Sequence, residues 1–319
     1  MNEKQGYNPE HAREELPRIS AGTRRDIASF QEFIALHWKE LEQAMAKGVE
    51  ASDFIYDKFQ TEETGGPAFV ADASFARLKE TYDRQAKALI DRFLSLSKKY
   101  ENDAVPRVSP GKKSIEKGWA YFKVNGGAIN NASEKLGRAY LNIKPENLVA
   151  FYEEALPMLQ QLGLAIDAKI AGSASVSDFN RSDKMVIYFN EKDEAGVLAA
   201  IEDIHKRNAS KFLPQNPKFT AQLVNENGFV MDGVSFGEEP NQGGVSFGEI
   251  RAKIMAGVYS DARKHGYAMT DARATDAFRR ECAARGVDAS GAAFNAGGTS
   301  FAVMRRRTNE VFPNKRPQS

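Results

Sequence analysis

RAYLNIKPENLVAFYEEALPMLQQLGLAIDAKIA, residues 138–171, is the stretch that decides the fold. RAYLNIK (138–144) alternates apolar and polar side chains, the two-residue period of a strand. PENLVAFYEEALPMLQQLG (145–163) places apolar residues three and four apart, with Pro145 in its first turn and Gly163 beyond its end, which is a helix. LAIDAKIA (164–171) is again a strand. Working outward, KMVIYFN (184–190) has the continuous apolar run of a buried strand. GWAYFKVN (118–125) reads as another, joined to 138–144 by NGGAINNASEKLG. EAGVLAAIEDIHKR (194–207) is a helix, and FTAQLVNENGFVMDG (219–233) is two short strands about an Asn-Gly turn. The pattern turns helical from Phe247 to His265. It does so again over 270–286, with Thr270 as N-cap and Gly286 as terminator. Hairpin signals among these strands predict an α+β fold with a mixed or mainly antiparallel sheet flanked by helices.

The N-terminal third is different. Phe30, Phe33, Ile34, Trp38, Leu41 and Met45 recur at helical spacing between Arg24 and Ala46, and Gly48 ends that run. Ser52 caps a short helix carrying Phe54, Ile55 and Phe59, TEETGGP (61–67) is a loop, and a long helix runs from about Ala73 to Tyr100. The aromatic stripes read as core rather than binding surface. The expected organisation is a flexible arm (1–22), a helical region (23–105), an α+β domain (106–303) and a basic tail (304–319).

Composition narrows the function. The 319 residues hold 44 Lys plus Arg against 43 Asp plus Glu, a formal net charge of +1. That balance argues against a dedicated nucleic-acid binder while allowing a local basic pocket. No run approaches ~18 consecutive apolar residues, so no membrane span is expected. The first 25 residues are polar and charged, so no cleaved signal peptide is expected. The single cysteine, Cys282, excludes an internal disulfide and reads as a packed helix residue. Four scattered histidines without HExxH spacing give no metal site, and no cofactor motif is present. GVSFGE occurs twice, at 233–238 and 244–249. It reads either as a duplicated Gly-rich turn or as a flexible loop over a site, leading into a helix that starts near Ser246.

The remaining candidates are cations beside strands. Arg138 and Tyr140 lie on one strand, Lys169 on another, Arg181 just before the apolar strand that holds Tyr188, and Arg251 one turn into a helix. Each reads blandly as an edge cation or an ion-pair partner, with Asp183 pairing Arg181. The sharper reading uses the cost of burying a lone charge: a cation on a buried strand needs a partner or an anionic ligand. Alternation puts Arg138, Tyr140 and Asn142 on one face. Two arginines hold a phosphate bidentately, and a lysine of lowered pKa serves as a general base.

GRAYLNI, AIDAKI, RSDKMVIYF, PKFTAQL and SFGEIRAKIMAGVY come in an order that resembles the HopA-type effectors, type III secreted proteins of plant-pathogenic bacteria, over roughly residues 118–300. A related domain occurs in peptide-modifying gene clusters. The resemblance implies an α+β fold and a lyase that removes phosphate from phosphorylated Ser or Thr of a peptide or protein. It casts Lys169 as base, with Tyr188 beside it, and Arg138, Arg181 and Arg251 as phosphate ligands. Tyr140, Asp183 and Ser246 support them. It also implies a bacterial cytoplasmic protein exported into a host cell, with a secretion chaperone or host protein as partner. The alternative is a non-enzymatic effector that binds a protein through its aromatic-rich helical N-terminus.

Overall fold

The computed structural model describes residues 20–61, 72–99, 108–110, 119–125, 134–171, 179–240 and 245–308. All of the expected loop at 61–67 except Thr61, which ends a helix, lies outside these residues, as do most of the expected arm and basic tail. Among the described residues, seven strands form one sheet in the order β1-β2-β4-β5-β3-β7-β6. They are β1 (Val108–Pro110), β2 (Trp119–Val124), β3 (Leu136–Leu141), β4 (Ile166–Ala171), β5 (Met185–Asn190), β6 (Ala221–Val224) and β7 (Val230–Glu238). Every neighbouring pair is antiparallel, so the fold is α+β as expected.

Register separates the two faces. Ala139, Ile187, Ala168 and Phe236 are cross-strand neighbours and point to one side. There they build the main core with α4 (Leu148–Gln161) and α5 (Glu194–Asn208). A strand's side chains alternate, so the residues between them point the other way. Arg138 stands opposite Tyr188, and Tyr188 opposite Asp167; one step along, Tyr140 stands opposite Val186, and Val186 opposite Lys169. Arg138 and Tyr140 therefore share a face, as alternation predicts, and the register brings Lys169 onto the same one.

A second core lies on that polar side. It joins α1 (Ala21–Ala46), α2 (Ala51–Thr61), α6 (Phe247–His265) and α7 (Ala272–Ala284) through Phe30, Phe33, Ile55, Ile254, Met255 and Phe278. Long α3 (Asp72–Lys99) instead packs Tyr82 and Ala86 into the main core. A short α8 (Ala302–Arg306) follows α7.

Several helix ends differ from the sequence reading by one or two residues. Helix α1 begins at Ala21 because Ser20 accepts the Thr23 amide, so the span read as an arm already enters the helix. Helix α2 starts at Ala51, so Ser52 lies inside its first turn. Asp271, not Thr270, caps α7, its carboxylate accepting from the Arg273 amide. Residues 305–308, read as part of a tail, are folded in: Arg305 pairs with Glu238 and Asp288, Arg307 with Glu202, and Thr308 bridges Leu223. The repeated hexapeptide takes two conformations. Its first copy is the end of β7, and the second leads into α6, where Ser246 and Glu249 form a capping box.

Candidate functional site

A cavity of about 280 Å³ opens where the polar face of the sheet meets the start of α6. The sheet supplies Arg138 and Tyr140 from β3, Lys169 from β4 and Tyr188 from β5. Arg181 and Asp183 enter from the segment before β5. Ser246, Phe247 and Gly248 form the wall from α6, and Pro217, Lys218 and Phe219 form another. Seven of the eight expected residues thus converge: Arg138, Tyr140, Lys169, Arg181, Asp183, Tyr188 and Ser246. Arg251 lies outside the lining, behind the ring of Phe247. Asn142, expected on the same face, is buried elsewhere, donating through Nδ2 to the Gln215 carbonyl.

Charges in the cavity are arranged in pairs and graded by burial. Arg181 holds Asp183 through two hydrogen bonds, Nε to Oδ1 at 2.7 Å and Nη2 to Oδ2 at 2.8 Å. Burial pushes the Asp183 carboxyl up, but Arg181 outweighs it, helped by Lys169 and Lys184, and the group stays below the usual carboxylate range. Arg138 pairs with Glu239 and lies over the Tyr188 ring, 5.0 Å from its centroid. Burial alone would lower its guanidinium; Tyr140, Tyr188 and Glu239 reverse that and hold it above the ordinary arginine value.

Lys169 responds in the opposite direction. Burial pushes its ammonium down to about 8, Asp183 opposes that, and the nearby charges of Arg181 and Arg138 add to the depression. By titration, roughly a quarter of such a lysine is neutral at pH 7.5. Tyr140 is fully buried beside it, and burial raises its hydroxyl well above the ordinary tyrosine value, with the Arg138 charge only partly offsetting this. Tyr140 therefore remains a donor where Lys169 is in part an acceptor.

A buried network fixes two walls. Lys184 is wholly buried, and its Nζ donates to the Arg181 carbonyl at 2.5 Å and to Asn142 Oδ1 at 2.6 Å. Asn142 in turn holds the Gln215 carbonyl at 2.8 Å, two residues before the Pro217–Phe219 wall. A satisfied network of this kind keeps the arginine clamp and the facing segment at one separation.

The sequence reading missed Tyr56, Lys218, Phe219 and Phe247. Tyr56 sits on α2, in a stripe indistinguishable from core, and its hydroxyl accepts from Ser246 Oγ at 3.4 Å. Lys218 lies in a turn before β6, where no periodicity marks it. Ser246, by contrast, was legible as a cap. Among the described residues, no group of three or more His, Cys, Asp or Glu side chains is placed to hold a metal ion. No helix among them is long and apolar enough to cross a membrane.

The chain is similar to two solved effector proteins. One is from Pseudomonas syringae pv. syringae strain 61, at 15% identity and TM-score 0.54, covering 86% of this chain and 98% of that one. The other is from Pseudomonas syringae pv. tomato strain DC3000, at 15% identity and TM-score 0.54, covering 86% and 99%. At that identity the likeness speaks for the fold. No curated protein matches the chain. The HopA1 effector protein family model matches residues 112–294, more than half of the sequence and nearly all of the cavity-bearing sheet, and the chain belongs to that family.

Proposed function

We propose that this HopA1-family protein is a phosphate-eliminating lyase acting on phosphorylated Ser or Thr of a peptide or protein. We further infer that it is delivered into host cells by type III secretion. The observation that carries the lyase reading is Lys169: a half-buried amine whose pKa is pushed down to about 8, in one cavity with Arg138 and Arg181. In the reaction, neutral Lys169 Nζ takes the Cα proton of the phosphorylated residue. The released electron pair forms the Cα=Cβ bond, the Cβ–O bond breaks, and phosphate leaves with that bond's electrons. The products are a dehydroamino acid, free phosphate and the Lys169 ammonium, which returns its proton to water. Arg138 and Arg181 offset the charge that gathers on the leaving phosphate. Tyr140 and Tyr188, as donors, stabilise the enolate-like oxygen of the substrate carbonyl.

The test is mass spectrometry on a panel of phosphoserine and phosphothreonine peptides. The expected result is loss of phosphoric acid with an alkene left behind. Hydrolysis to the free alcohol, or no turnover by folded protein, counts against it.

A second reading, a non-enzymatic module binding a protein, rests on the exposed Trp38 and Leu36 of α1, 50% and 67% accessible. It predicts a partner lost on Trp38→Ala and Leu36→Ala substitution and retained on Lys169→Met. Deleting residues 24–100 would not separate the two readings, because Tyr56 is part of the cavity wall.

A further inference from the structure

Among the described residues, Arg251 is a deeply buried charge with an unsatisfied donor. It is only 1% exposed, yet among the described residues no carboxylate lies in ion-pair contact with it. Its Nε donates to the Ala292 carbonyl at 2.8 Å, its Nη1 reaches the Phe247 carbonyl at 3.5 Å, and its Nη2 finds no acceptor. Arg138 and Arg181, which do line the cavity, each hold a carboxylate already. A buried guanidinium with one edge unsatisfied is expensive unless something completes it. Arg251 packs against a residue of the cavity wall: its guanidinium carbon lies 3.8 Å from the centroid of Phe247, a ring that lines the cavity and is otherwise buried in the second core. That ring is seated against a strand with no side chain at the contact point, since a Cβ on Gly237 would lie 2.5 Å from Phe247 Cε2. Tyr140 is its aromatic neighbour, at 6.0 Å between centroids.

We propose that Arg251 is the inner half of the anion site, that the Phe247 ring covers it, and that a phosphate group entering the cavity displaces that ring and serves as its counter-ion. This rests on reading the cavity as a phosphate site. Displacement of one ring joins the Arg251 fork to Arg138 and Arg181, and the bound dianion then satisfies the orphaned edge. Phe247 is in this sense a shutter, and it ties access to the third arginine to the arrival of the ligand.

The probe is inorganic phosphate, measured by calorimetry on the full chain and on Arg251→Met, Arg251→Lys, Phe247→Ala and the Phe247→Ala/Arg251→Met double variant. Thermal melts of each variant check folding. Loss of a charged hydrogen-bond partner should weaken phosphate binding at least about tenfold in Arg251→Met. Phe247→Ala, with the shutter removed, should bind as tightly as the parent or more tightly, and the double variant should bind as weakly as Arg251→Met. The proposal is overturned if folded Arg251→Met binds within about twofold of the parent. It is also overturned if Phe247→Ala weakens binding and the double variant loses the product of the two single effects, because such independence means Arg251 never meets the ligand. Should Arg251→Met not fold, Phe247→Ala against Phe247→Ala/Arg251→Lys carries the same comparison, with equal affinities overturning it. Arg251-dependent phosphate binding without elimination would leave this site standing and sink only the lyase reading. No phosphate binding by the folded parent would overturn both.

Discussion

Arg181 and Asp183 face each other two residues apart and share two near-parallel hydrogen bonds of 2.7 and 2.8 Å at the edge of the cavity. The pair does more than hold the loop: among the charges acting on Lys169, Asp183 is the first to favour the ammonium, and Arg181 is the first to oppose it. The replacement Asp183→Asn removes the favourable charge and leaves the repulsive one. The Lys169 amine should then titrate below about 8, where the parent sits. Titration of the lysine side chain by nuclear magnetic resonance reads this without any assay of turnover. An unchanged or raised value would show that Asp183 does not reach Lys169 electrostatically.

Elimination requires the neutral amine, so kcat/KM on a phosphopeptide should rise with pH and level off above about 8. Tyr140 stays protonated across that range, since burial raises its hydroxyl, so no falling limb from this group is expected below pH 10. Lys169→Met should lower kcat by about 10²–10⁴ if Lys169 is the base. A variant that keeps more than a tenth of parental turnover would remove Lys169 from that role.

Lys169 also makes a stability prediction of the opposite sign. Its folded value near 8 lies below the ordinary 10.5, so the unfolded chain binds this proton more tightly. The resulting penalty is fully present below pH 8 and fades as pH rises from about 8 to 10.5. At ~1.4 kcal/mol per unit, Lys169→Met should stabilise the protein at pH 7 by up to about 3 kcal/mol. Urea denaturation of the two proteins at pH 7 and pH 10.5 checks it: the gain should shrink at the higher pH. A destabilised variant at pH 7 would refute the assignment of Lys169 as a desolvated charge.

Gly233 marks the point where β7 passes the wall segment. Its φ is +70°, and a Cβ there would lie 2.2 Å from the Leu213 carbonyl oxygen and 3.1 Å from that of Asn142. Backbone cannot move aside as a flexible side chain can. Gly233→Ala should cost about 3 kcal/mol or more, through both the strained φ and the clash. The equivalent glycine-to-alanine change at Gly266, which has positive φ but no heavy atom within 4 Å of the added Cβ, should cost less, about 1 kcal/mol. Thermal melts of the two variants compare them directly.

Most of the sheet was legible because 138–144 and 164–171 alternate and 184–190 is continuously apolar, but which strand lies beside which was not written in those patterns. Arg138 and Tyr140 could be assigned to one face of their strand by alternation alone, whereas Lys169 joins them only through the register of β3, β5 and β4. What alternation does not encode is depth. Arg181 before a strand and Arg251 one turn into a helix were both candidate cations, yet Arg181 lines the cavity while Arg251 packs against Phe247 outside the lining, a difference set by how α6 docks against Tyr140 and Gly237. Tyr56 was illegible for a related reason: its neighbours Phe54 and Ile55 pack with the second core, and nothing local distinguishes the ring that turns toward Ser246. VSFGE shows the limit plainly, since the same residues end a strand at 234–238 and lead into a helix at 245–249, decided by what surrounds them.

Tyr56 has a practical corollary. The stretch shared across the family begins at residue 112, yet one wall of the cavity is contributed from more than fifty residues upstream, and α8 with Arg305 closes the structure beyond residue 294. The segment matched by the family model and the residues that line this cavity therefore do not coincide, and the two solved effectors match the fold over 86% of the chain, well beyond that model. A fragment trimmed to the family boundaries keeps the cationic floor but leaves it open to water on the side where Tyr56 stood.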